Sequence, residues 1–315
     1  MTEKDMITTV TLNAAIDKTY YLPAFPLGKV SRVQRFNAAP GGKGNNVAKV
    51  IAQLGEPVTA TGFVGGMNGE IIKQLLDQIG IAHDFVSVAG ESRLCLNILD
   101  EEKGTSTELL EPGPNVDEAA QKAMETKIRE LASRSRIVCF SGSLPAGVPK
   151  DYYVKLVSIA KEAGAYVILD ASGDALRFGL EAKPDMIKPN EDEVAALLDI
   201  EVEDEAALRK ATETLLQKYD MDRISVSLGG AGSMIAAKTG CYRVKTPKVD
   251  VVNTVGCGDS FVAGMAVSLA RGLSFEDGLA LASAAGTSNA MTDQAGMIDP
   301  EVVERLQQQV QITRL

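Results

Sequence analysis

The sequence predicts a doubly wound α/β fold in which helices flank a mostly parallel sheet and a second, smaller β sheet forms a lid. Three observations predict this fold class. Helical and strand-like segments alternate from residue 116 to the C-terminus. The segments 137–140 and 166–170 are apolar on both faces, as in a parallel sheet covered by helices. Two further segments, 18–36 and 84–111, interrupt the alternation with short strands.

The first core elements are a strand and a helix on either side of a glycine-rich turn. A β-branched run after Met6 predicts the strand. An apolar spacing of i, i+3, i+4 and i+7 predicts the helix, and Gly55 ends it. The residues with this spacing are Val47, Val50, Ile51 and Leu54. A strand over 58–65 and a helix over 69–80 follow.

The two interrupting segments have the composition of small strands outside the main layer. Residues 18–36 contain aromatic residues and prolines that break every apolar run, and residues 84–111 contain two strands joined by a turn at 102–106. We therefore divide the chain into two parts. The predicted core comprises residues 1–17, 37–83 and 112–315, and the predicted β lid comprises residues 18–36 and 84–111.

The rest of the core continues the alternation of helices and strands. We predict helices over residues 118–134, 151–164, 191–199 and 206–219, and strands over residues 136–142, 166–170 and 223–230. The last quarter of the chain is predicted to be mostly helical, over residues 260–272, 274–291 and 300–310.

Composition and charge argue against several classes of function. The net charge of −10 without a basic block argues against a nucleic-acid partner, which needs a basic face. No apolar stretch reaches the roughly 20 residues of a membrane span, and the N-terminus lacks the apolar run of a signal peptide. Four separate cysteines without a CxxC pair fit reduced thiols in a cytoplasmic protein. A single histidine, His83, argues against Ser-His-Asp catalysis and a histidine-rich metal site.

Three glycine clusters lie at predicted junctions, at residues 41–44, 230–232 and 256–258. None completes the dinucleotide fingerprint GxGxxG or the P-loop, which disfavours a dehydrogenase and a Walker NTPase. Glycines before helices leave backbone N–H groups and the positive end of the helix dipole for an anion. One cluster alone fits an ordinary turn. Three of them at junctions of one α/β sheet predict ligand binding there.

Asp259 follows the third cluster and has two interpretations. It can stabilise the helix start electrostatically, an effect of roughly 0.3–1 kcal/mol. It can also accept a proton from an alcohol while the amides of Gly256, Cys257 and Gly258 bind a phosphoryl group. Taken alone, Asp259 fits the helix start best.

Residues 188–193, KPNEDE, have a similar ambiguity. Asn190 and Glu193 have a spacing that suits a variant of the capping box. The same two residues can also orient water around Mg²⁺. The spacing alone favours the helix cap.

Together these motifs resemble the PfkB family of ribokinase-like sugar kinases, over nearly the whole chain. They occur in the family's order: TLNAAIDKTY, GGKGNNVA, SGSLPAG, KPNEDE, SLGGAGS and NTVGCGDSFVAG. ESRLCLN, TELLEPGP and SGSLPAGVPKDYY resemble the branch of 1-phosphofructokinases and tagatose-6-phosphate kinases. The branch usually has Pro in place of Ala14, and Ala or Ser in place of Cys257. Neither departure removes a charged or catalytic group.

The resemblance implies a role for residues in each motif. Asp259 is expected to accept the proton of the sugar hydroxyl, with Gly256, Cys257 and Gly258 as the anion hole. The residues expected at the sugar phosphate are Asp17, Lys29, Gly41, Gly42, Lys43, Asn46 and Arg93. Arg93 would bind its phosphate, and so would Lys29, from a partner subunit if the lid pairs in a homodimer. The residues expected at ATP are Lys188, Asn190, Ser227, Gly229, Gly232 and Asn289, with Glu193 organising Mg²⁺ through water.

The activity that the resemblance implies is ATP-dependent phosphorylation of a ketohexose monophosphate to a bisphosphate. Fructose 1-phosphate is the expected substrate and tagatose 6-phosphate is the alternative, because no single residue separates them. Arg93 and Lys29 argue against a kinase of unphosphorylated sugars. The intact Asp259 and its glycine turn argue against a binding protein that lacks catalysis.

Overall fold

The computed structural model describes residue 4 and residues 6–315, so residues 1–3 and 5 of the predicted core segment 1–17 lie outside the described part. The described residues form fifteen strands and ten α-helices. The strands are β1 (Met6–Thr11), β2 (Ala15–Leu22), β3 (Arg35–Gly41), β4 (Val58–Gly65), β5 (Ala82–His83), β6 (Val86–Val88), β7 (Arg93–Asp100), β8 (Thr105–Leu110), β9 (Ser135–Ser141), β10 (Tyr166–Asp170), β11 (Met186–Ile187), β12 (Arg223–Ser227), β13 (Ser233–Ala237), β14 (Gly240–Lys245) and β15 (Gln311–Arg314). The helices are α1 (Lys43–Gln53), α2 (Gly66–Gln78), α3 (Glu118–Arg134), α4 (Tyr152–Glu162), α5 (Gly173–Gly179), α6 (Glu191–Leu198), α7 (Glu205–Lys218), α8 (Cys257–Arg271), α9 (Phe275–Ala290) and α10 (Pro300–Gln307).

The large sheet confirms the predicted fold class. Its strands lie in the order β15-β14-β13-β12-β11-β10-β9-β1-β4-β5. Strand β6 pairs with the last residues of β4, and β5 pairs with its first residues. All pairs from β12 to β5 are parallel. The edge formed by β13, β14 and β15 is antiparallel, and the sequence analysis did not predict these three strands. They are short, and β15 follows a helix that was expected to reach residue 310.

Helices cover both faces of the large sheet. One apolar core lies between the sheet and α1, α2, α8, α9 and α10. The other lies between the sheet and α3 to α7. Strands buried on both sides explain why 137–140 and 166–170 are continuously apolar. Among the described residues, no helix is long and apolar enough to cross a membrane.

Helices α8 and α9 pack at a close distance that a glycine permits. A Cβ atom added to Gly264 of α8 would lie 2.5 Å from the Cα atom of Ala282 in α9. The two helices therefore meet backbone against backbone at this point. This contact fixes α8, whose first turn lies at the cavity described below.

The second sheet, which we call the small sheet, has the order β3-β2-β7-β8. Strand β2 is central, antiparallel to β3 and parallel to β7. The small sheet begins at Ala15 and includes residues 37–41, which the sequence analysis assigned to the core. Residues 86–88 pair instead with β4 of the large sheet, although they lie in the predicted lid segment 84–111. The strand pairing therefore does not stop where the amino-acid composition changes, and those changes were the basis for dividing the chain into core and lid.

A polar contact joins the small sheet to the core. The hydroxyl of Tyr21 on β2 donates to the Asp293 carboxylate at 2.6 Å. The guanidinium of Arg35 on β3 lies 3.3 Å from the centre of the Tyr21 ring and 3.5 Å from the Asp293 carboxylate. Burial and the adjacent Asp293 raise the pKa of Tyr21 to about 12, so this hydroxyl remains a donor at neutral pH.

Candidate active site

A cavity of about 280 Å³ lies between the small sheet and the carboxyl-terminal edge of the large sheet. Its floor comes from the first turns of α1 and α8 and from the loop that follows α9. Its cover comes from all four strands of the small sheet. Of the predicted site residues, the cavity wall contains Asp17, Gly42, Lys43, Asn46, Arg93, Gly256, Gly258 and Asp259. Predicted residues from four separate regions of the sequence therefore meet at one place.

Asp259 lies in the first turn of α8, and its side chain is 5 % exposed. Its carboxylate does not cap the helix. It accepts a hydrogen bond of 2.9 Å from the Asn46 amide, and the Lys43 ammonium lies 3.8 Å away. Burial raises the pKa of Asp259, while Lys43 partly offsets that effect. A buried carboxylate with a raised pKa that faces a cavity is suited to accept a proton.

The turn before Asp259 presents backbone donors. Gly256 has a φ of 84°, in the left-handed region that favours glycine. The amide of Cys257 already contacts the Thr254 carbonyl at 3.3 Å. The amides of Gly256 and Gly258 have no acceptor among the described residues. The predicted anion hole therefore has two free donors from its glycines, at the positive end of α8.

Gly258 also faces a cation. A Cβ atom added to Gly258 would lie 3.0 Å from the Lys188 ammonium nitrogen. Lys188 is 8 % exposed, and its ammonium lies 3.3 Å from the Asp170 carboxylate. The other oxygen of Asp170 lies 3.4 Å from the Lys43 ammonium. A buried carboxylate at the end of β10 thus holds two lysines beside the first turn of α8.

The pKa of Asp170 follows from these contacts. Burial works to raise it, but Lys188 and Lys43 outweigh burial and hold the pKa below its usual range. In turn, Asp170 and then Asp259 raise the pKa of Lys43. Asp170 and Lys43 are therefore both charged at neutral pH.

Asp17 lies on β2 across the cavity from Asp259. A Cβ atom added to Gly41 would lie 2.1 Å from the Asp17 carboxyl carbon, so any larger residue there would displace this carboxylate. Gly42 has a φ of 89°, and a Cβ atom on it would lie 2.6 Å from the Thr11 methyl group. Loss of water raises the pKa of Asp17, and Lys49 and Arg93 oppose that effect. The first glycine cluster thus brings α1 up against this carboxylate.

Arg93, at the start of β7, borders a second cavity of about 200 Å³ beside the first. Its Nε donates to the Asn13 carbonyl at 3.1 Å. Among the described residues, three buried polar atoms of this second cavity lack a hydrogen-bond partner. They are Oγ1 of Thr11, Oδ1 of Asn13 and Oγ of Ser141. A polar cavity with a cation at its mouth is suited to a polar or anionic group of a ligand.

The segment KPNEDE forms the expected helix cap. Asn190 accepts from the Glu193 amide at 2.8 Å, and Glu193 accepts from the Asn190 amide at 2.9 Å, so the capping box is complete. Ser227 donates its amide to the Pro189 carbonyl at 2.9 Å, which brings the loop with Gly229 and Gly232 beside this segment. Glu193 also contributes to the raised pKa of Lys43, so the negative charge of Glu193 acts on the cavity wall.

Three further predicted residues, Lys29, Cys257 and Asn289, also lie outside the cavity wall. Lys29 is in an exposed segment between β2 and β3. Cys257 faces the core side of its turn and contacts the Asn289 amide at 3.6 Å. Asn289 is fully buried and bonded to Val255, Ser260 and Gly296. Its side chain therefore ties the turn before α8 to the loop after α9.

The sequence analysis did not identify several residues of the site. Lys49 and Asp293 border the first cavity, and Asp170 borders the second. Asp170 ends a buried strand, and a carboxylate at the end of such a strand is a usable signal in an α/β sheet. Lys49 lies on the apolar face of a helix, where a lysine is unusual unless it is paired.

The geometry can support transfer of a group to an alcohol. A proton acceptor, two free amides at a helix start and two lysines lie together, and the small sheet covers them. Phosphoryl transfer depends on such an arrangement of base, donors and cations in a site shielded from water.

The chain resembles proteins of known families over almost its full length. A family model described as pfkB family carbohydrate kinase matches residues 10–300. A tagatose-6-phosphate kinase of Staphylococcus epidermidis is 38% identical over 309 residues, which are 98% of this chain and 99% of that protein.

The chain is also similar to solved structures of sugar and sugar-phosphate kinases. Phosphofructokinase-2 of Escherichia coli, in complex with fructose-6-phosphate, has a TM-score of 0.90 and 29% identity, covering 96% of this chain and 98% of that one. The same protein has also been solved in a tetrameric inhibited form, with a TM-score of 0.90 and 30% identity over the same shares of the two chains. Arabidopsis thaliana ribokinase, complexed with ribose and ATP, has a TM-score of 0.79 and 25% identity over 97% of this chain and 99% of that one.

The ion pair of Asp170 leads to a prediction about stability. Asp170→Asn leaves Lys188 buried without its anion, so we expect the free energy of unfolding to fall by roughly 3 kcal/mol at neutral pH. The folded-state pKa of Asp170 lies below its usual value. The contribution of Asp170 is therefore complete above about pH 4 and disappears as the pH falls through the folded-state pKa. Urea unfolding of both proteins at pH 7 and pH 3 measures the difference.

Asp174→Asn is the matched control. It removes a carboxylate four positions along, whose ion pair with Lys150 is exposed. The urea midpoint should not change. An equal loss of stability in the two variants would show that the buried pair of Asp170 and Lys188 is no more important than the exposed one.

Proposed function

The chain belongs to the pfkB family of carbohydrate kinases, and we propose that it transfers the γ-phosphoryl group of ATP to a hydroxyl of a ketohexose monophosphate, giving a bisphosphate. The family membership agrees with the resemblance that the motifs indicate. The observation that carries the proposal is the position of Asp259. Its buried carboxylate faces the cavity at a helix start, with free amides before it and two lysines beside it.

Asp259 acts in this proposal as the general base. The sugar hydroxyl gives its proton to the Asp259 carboxylate as its oxygen bonds to the γ-phosphorus, and the bond to the β,γ-bridging oxygen breaks to release ADP. The Asn46 hydrogen bond at 2.9 Å orients the carboxylate. The amides of Gly256 and Gly258 and the dipole of α8 stabilise the charge on the phosphoryl oxygens.

The sugar phosphate is held by groups from both sides of the cavity. Asp17 and Asn46 offer acceptors and donors to its hydroxyls, and Gly41 and Gly42 let the backbone of α1 approach it. Lys43 completes the set on the core side. Arg93 binds the phosphate already present on the sugar, because its guanidinium borders both cavities and has no carboxylate within ion-pair distance among the described residues.

The nucleotide phosphates meet Lys188, which lies against Gly258. Asn190, Ser227, Gly229 and Gly232 belong to the two adjoining loops that line the path toward the base and ribose. Asn289 acts indirectly, by holding the turn that contains Gly256 and Cys257.

Glu193 is the residue that would hold Mg²⁺, through water. Oε2 of Glu193 serves the helix cap, which leaves Oε1 without a partner among the described residues. The described part of the chain contains no group of three or more metal-binding side chains. Mg²⁺ takes most of its ligands from phosphates and water, so a single carboxylate such as Glu193 is enough on the protein side. When bound, the ion neutralises charge on the transferred phosphate.

The small sheet supports a proposal about assembly. Its edge strand β8 is exposed throughout and includes the exposed Leu110 (62%), and the segment between β2 and β3 exposes Leu27 (86%) and Val30 (89%). A patch of this kind is typical of a protein interface. We propose a homodimer through the small sheet, in which Lys29 of one subunit reaches the sugar phosphate of the other.

Fructose 1-phosphate remains the first candidate substrate. Tagatose 6-phosphate is the second, since a relative with 38% identity is named for it. ADP release should be measured with ATP and Mg²⁺ on fructose 1-phosphate, tagatose 6-phosphate, fructose 6-phosphate, fructose and ribose. We expect turnover on a ketohexose phosphate and little on the free sugars. Turnover on the free sugars alone would rule out the proposed substrate class.

Asp259→Asn should keep the fold and lower kcat by roughly 10²- to 10⁴-fold, because the amide cannot accept the proton. Burial raises the pKa of Asp259. The wild-type rate should therefore fall with decreasing pH at a value above the usual range of aspartate. Steady-state kinetics from pH 4.5 to 7.5 measure both effects.

Asp277→Asn is the control for the helix-start interpretation. Asp277 also lies in the first turn of a helix, α9, but outside the cavity. Its variant should keep the wild-type kcat. Near-normal kcat in Asp259→Asn would refute the role of Asp259 as base.

Arg93→Ala should raise KM for the sugar phosphate roughly ten- to a hundredfold and change kcat little, since it removes a charged hydrogen bond to a group that does not react. Arg209→Ala, on α7 and far from the cavity, makes the same change in net charge and should leave KM unaltered. An unchanged KM in Arg93→Ala would assign Arg93 to a structural role at the sheet edge.

A further inference from the structure

The far half of the small sheet makes its polar contacts with the core at one residue, Asp293. This half comprises residues 18–37, from β2 and β3 with their connection, and residues 95–108, from β7 and β8. Among the described residues, every hydrogen bond and ion pair from these two stretches to the core ends on the Asp293 carboxylate. The donors are the hydroxyl of Tyr21 and the guanidinium of Arg35, which lie opposite each other on β2 and β3.

This contact lies far from the point where the chain enters the small sheet. Strand β2 leaves the core at Ala15, and Tyr21 lies six residues further along the strand, a distance of about 20 Å. The covalent connection at Ala15 fixes the near end of the strand. The contact with Asp293 is therefore well placed to hold the far half over the cavity.

The Tyr21 hydroxyl depends on Asp293 for its partner. Tyr21 is 5 % exposed, and its hydroxyl donates to the Asp293 carboxylate at 2.6 Å. A hydrogen bond to a charged acceptor is stronger than one between neutral groups, and a buried hydroxyl without a partner is costly. The small sheet therefore loses stabilisation when it moves away from Asp293.

On the core side, the loop that contains Asp293 is bonded to the turn before α8. Asn289 accepts from the Gly296 amide of this loop and donates to the Val255 carbonyl of the turn, each at 2.8 Å. Asn253 forms a second link, since it donates to the Asp293 carbonyl at 3.4 Å and accepts from the Val255 amide at 3.0 Å. The loop and the turn therefore hold each other in position.

The turn presents the amides that the proposed reaction uses. Val255 directly precedes Gly256, and the amides of Gly256 and Gly258 have no acceptor among the described residues. The position of such donors decides how well they stabilise charge on the phosphoryl oxygens. A displacement of Asp293 would therefore change the position of donors that contact the reacting group.

We propose that Tyr21 and Asp293 are positioning residues that link the cover of the cavity to the turn before Asp259. Their hydrogen bond holds the small sheet in place. It also keeps the loop after α9, and with it the Gly256 amide, in the position that phosphoryl transfer needs. This inference rests on the proposed function, because it concerns the donors of that reaction.

Hydrogen exchange of the protein without ligands tests this link directly. Tyr21→Phe removes the hydroxyl and keeps the buried ring. We expect exchange to become about tenfold faster in residues 18–22 of β2 and several-fold faster in residues 252–257. Exchange that matches wild type in either stretch would overturn the proposal, since the cover would then not act on the turn through Tyr21.

Tyr20→Phe is the matched control. Tyr20 is the neighbouring residue on β2, so its side chain lies on the opposite face of the small sheet, where its ring packs against Phe36 with centroids 6.5 Å apart. Exchange and kinetics of this variant should match wild type. Equal changes in Tyr20→Phe and Tyr21→Phe would overturn the proposal.

Steady-state kinetics measure the consequence for the reaction. Tyr21→Phe and Asp293→Ala should each lower kcat about five- to tenfold at saturating sugar phosphate and MgATP, because the donors are displaced. A contact that only holds the cover would change KM for the sugar phosphate and leave kcat unaltered. An unaltered kcat in both variants would therefore overturn the proposal.

The double variant tests whether the two residues act through their shared contact. Tyr21→Phe combined with Asp293→Ala should have the same kcat as Asp293→Ala alone, because changes at one contact are not additive. Losses that multiply would show that the residues act separately, and would overturn the link.

These measurements also separate the two proposals. A wild-type protein without turnover on any sugar phosphate would refute the proposed function, and hydrogen exchange would still test the link. Wild-type turnover with unchanged exchange in Tyr21→Phe would refute only the role of Tyr21 and Asp293.

Discussion

The site depends on keeping two carboxylates ionised in the cavity between the small sheet and the core. Asp259 and Asp17 face this cavity from opposite walls, and loss of water raises the pKa of each. In water each group would ionise without help, but here ionisation requires cations and donors close by. These cations and donors are the lysines, the Asn46 amide and the positive end of α8. A sugar kinase gains from the arrangement, because a base with little hydration accepts a proton more readily than a fully solvated one.

A single helix supplies most of these groups. Lys43, Asn46 and Lys49 follow one another at intervals of three along α1, so they lie in one row along the cavity. The row approaches the carboxylates only because Gly41 and Gly42 have no side chain to hold α1 away. The glycine cluster therefore also has a packing role. Its effect is to bring a row of cationic and amide groups to Asp17 and Asp259.

Much of the fold and part of the site were predictable from the sequence. There is a physical reason why some elements were predicted and others were missed. Long apolar periods predict α1, α3, α7 and α8 to within a few residues, because burial of one face is a property of the segment itself. The antiparallel strands β13 to β15 were not predicted, since their pairing depends on neighbours along the sheet edge. Asp259 was recognisable because it adjoins its own glycine turn. Asp170 and Lys49 were missed because their partners are distant in the sequence.

In the proposed function, Arg93 would connect the choice of substrate with the cover over the site. It lies at the first residue of β7, where the small sheet begins, and its guanidinium is tied to the Asn13 carbonyl at 3.1 Å between the two cavities. A phosphate bound to Arg93 would therefore contact the small sheet and the core together, and would favour the covered arrangement of the site. A free sugar lacks that contact, so it would gain less from closure and leave Asp259 more exposed to water. In the proposed function, selectivity for a phosphorylated sugar would therefore depend on the same strand that covers the base.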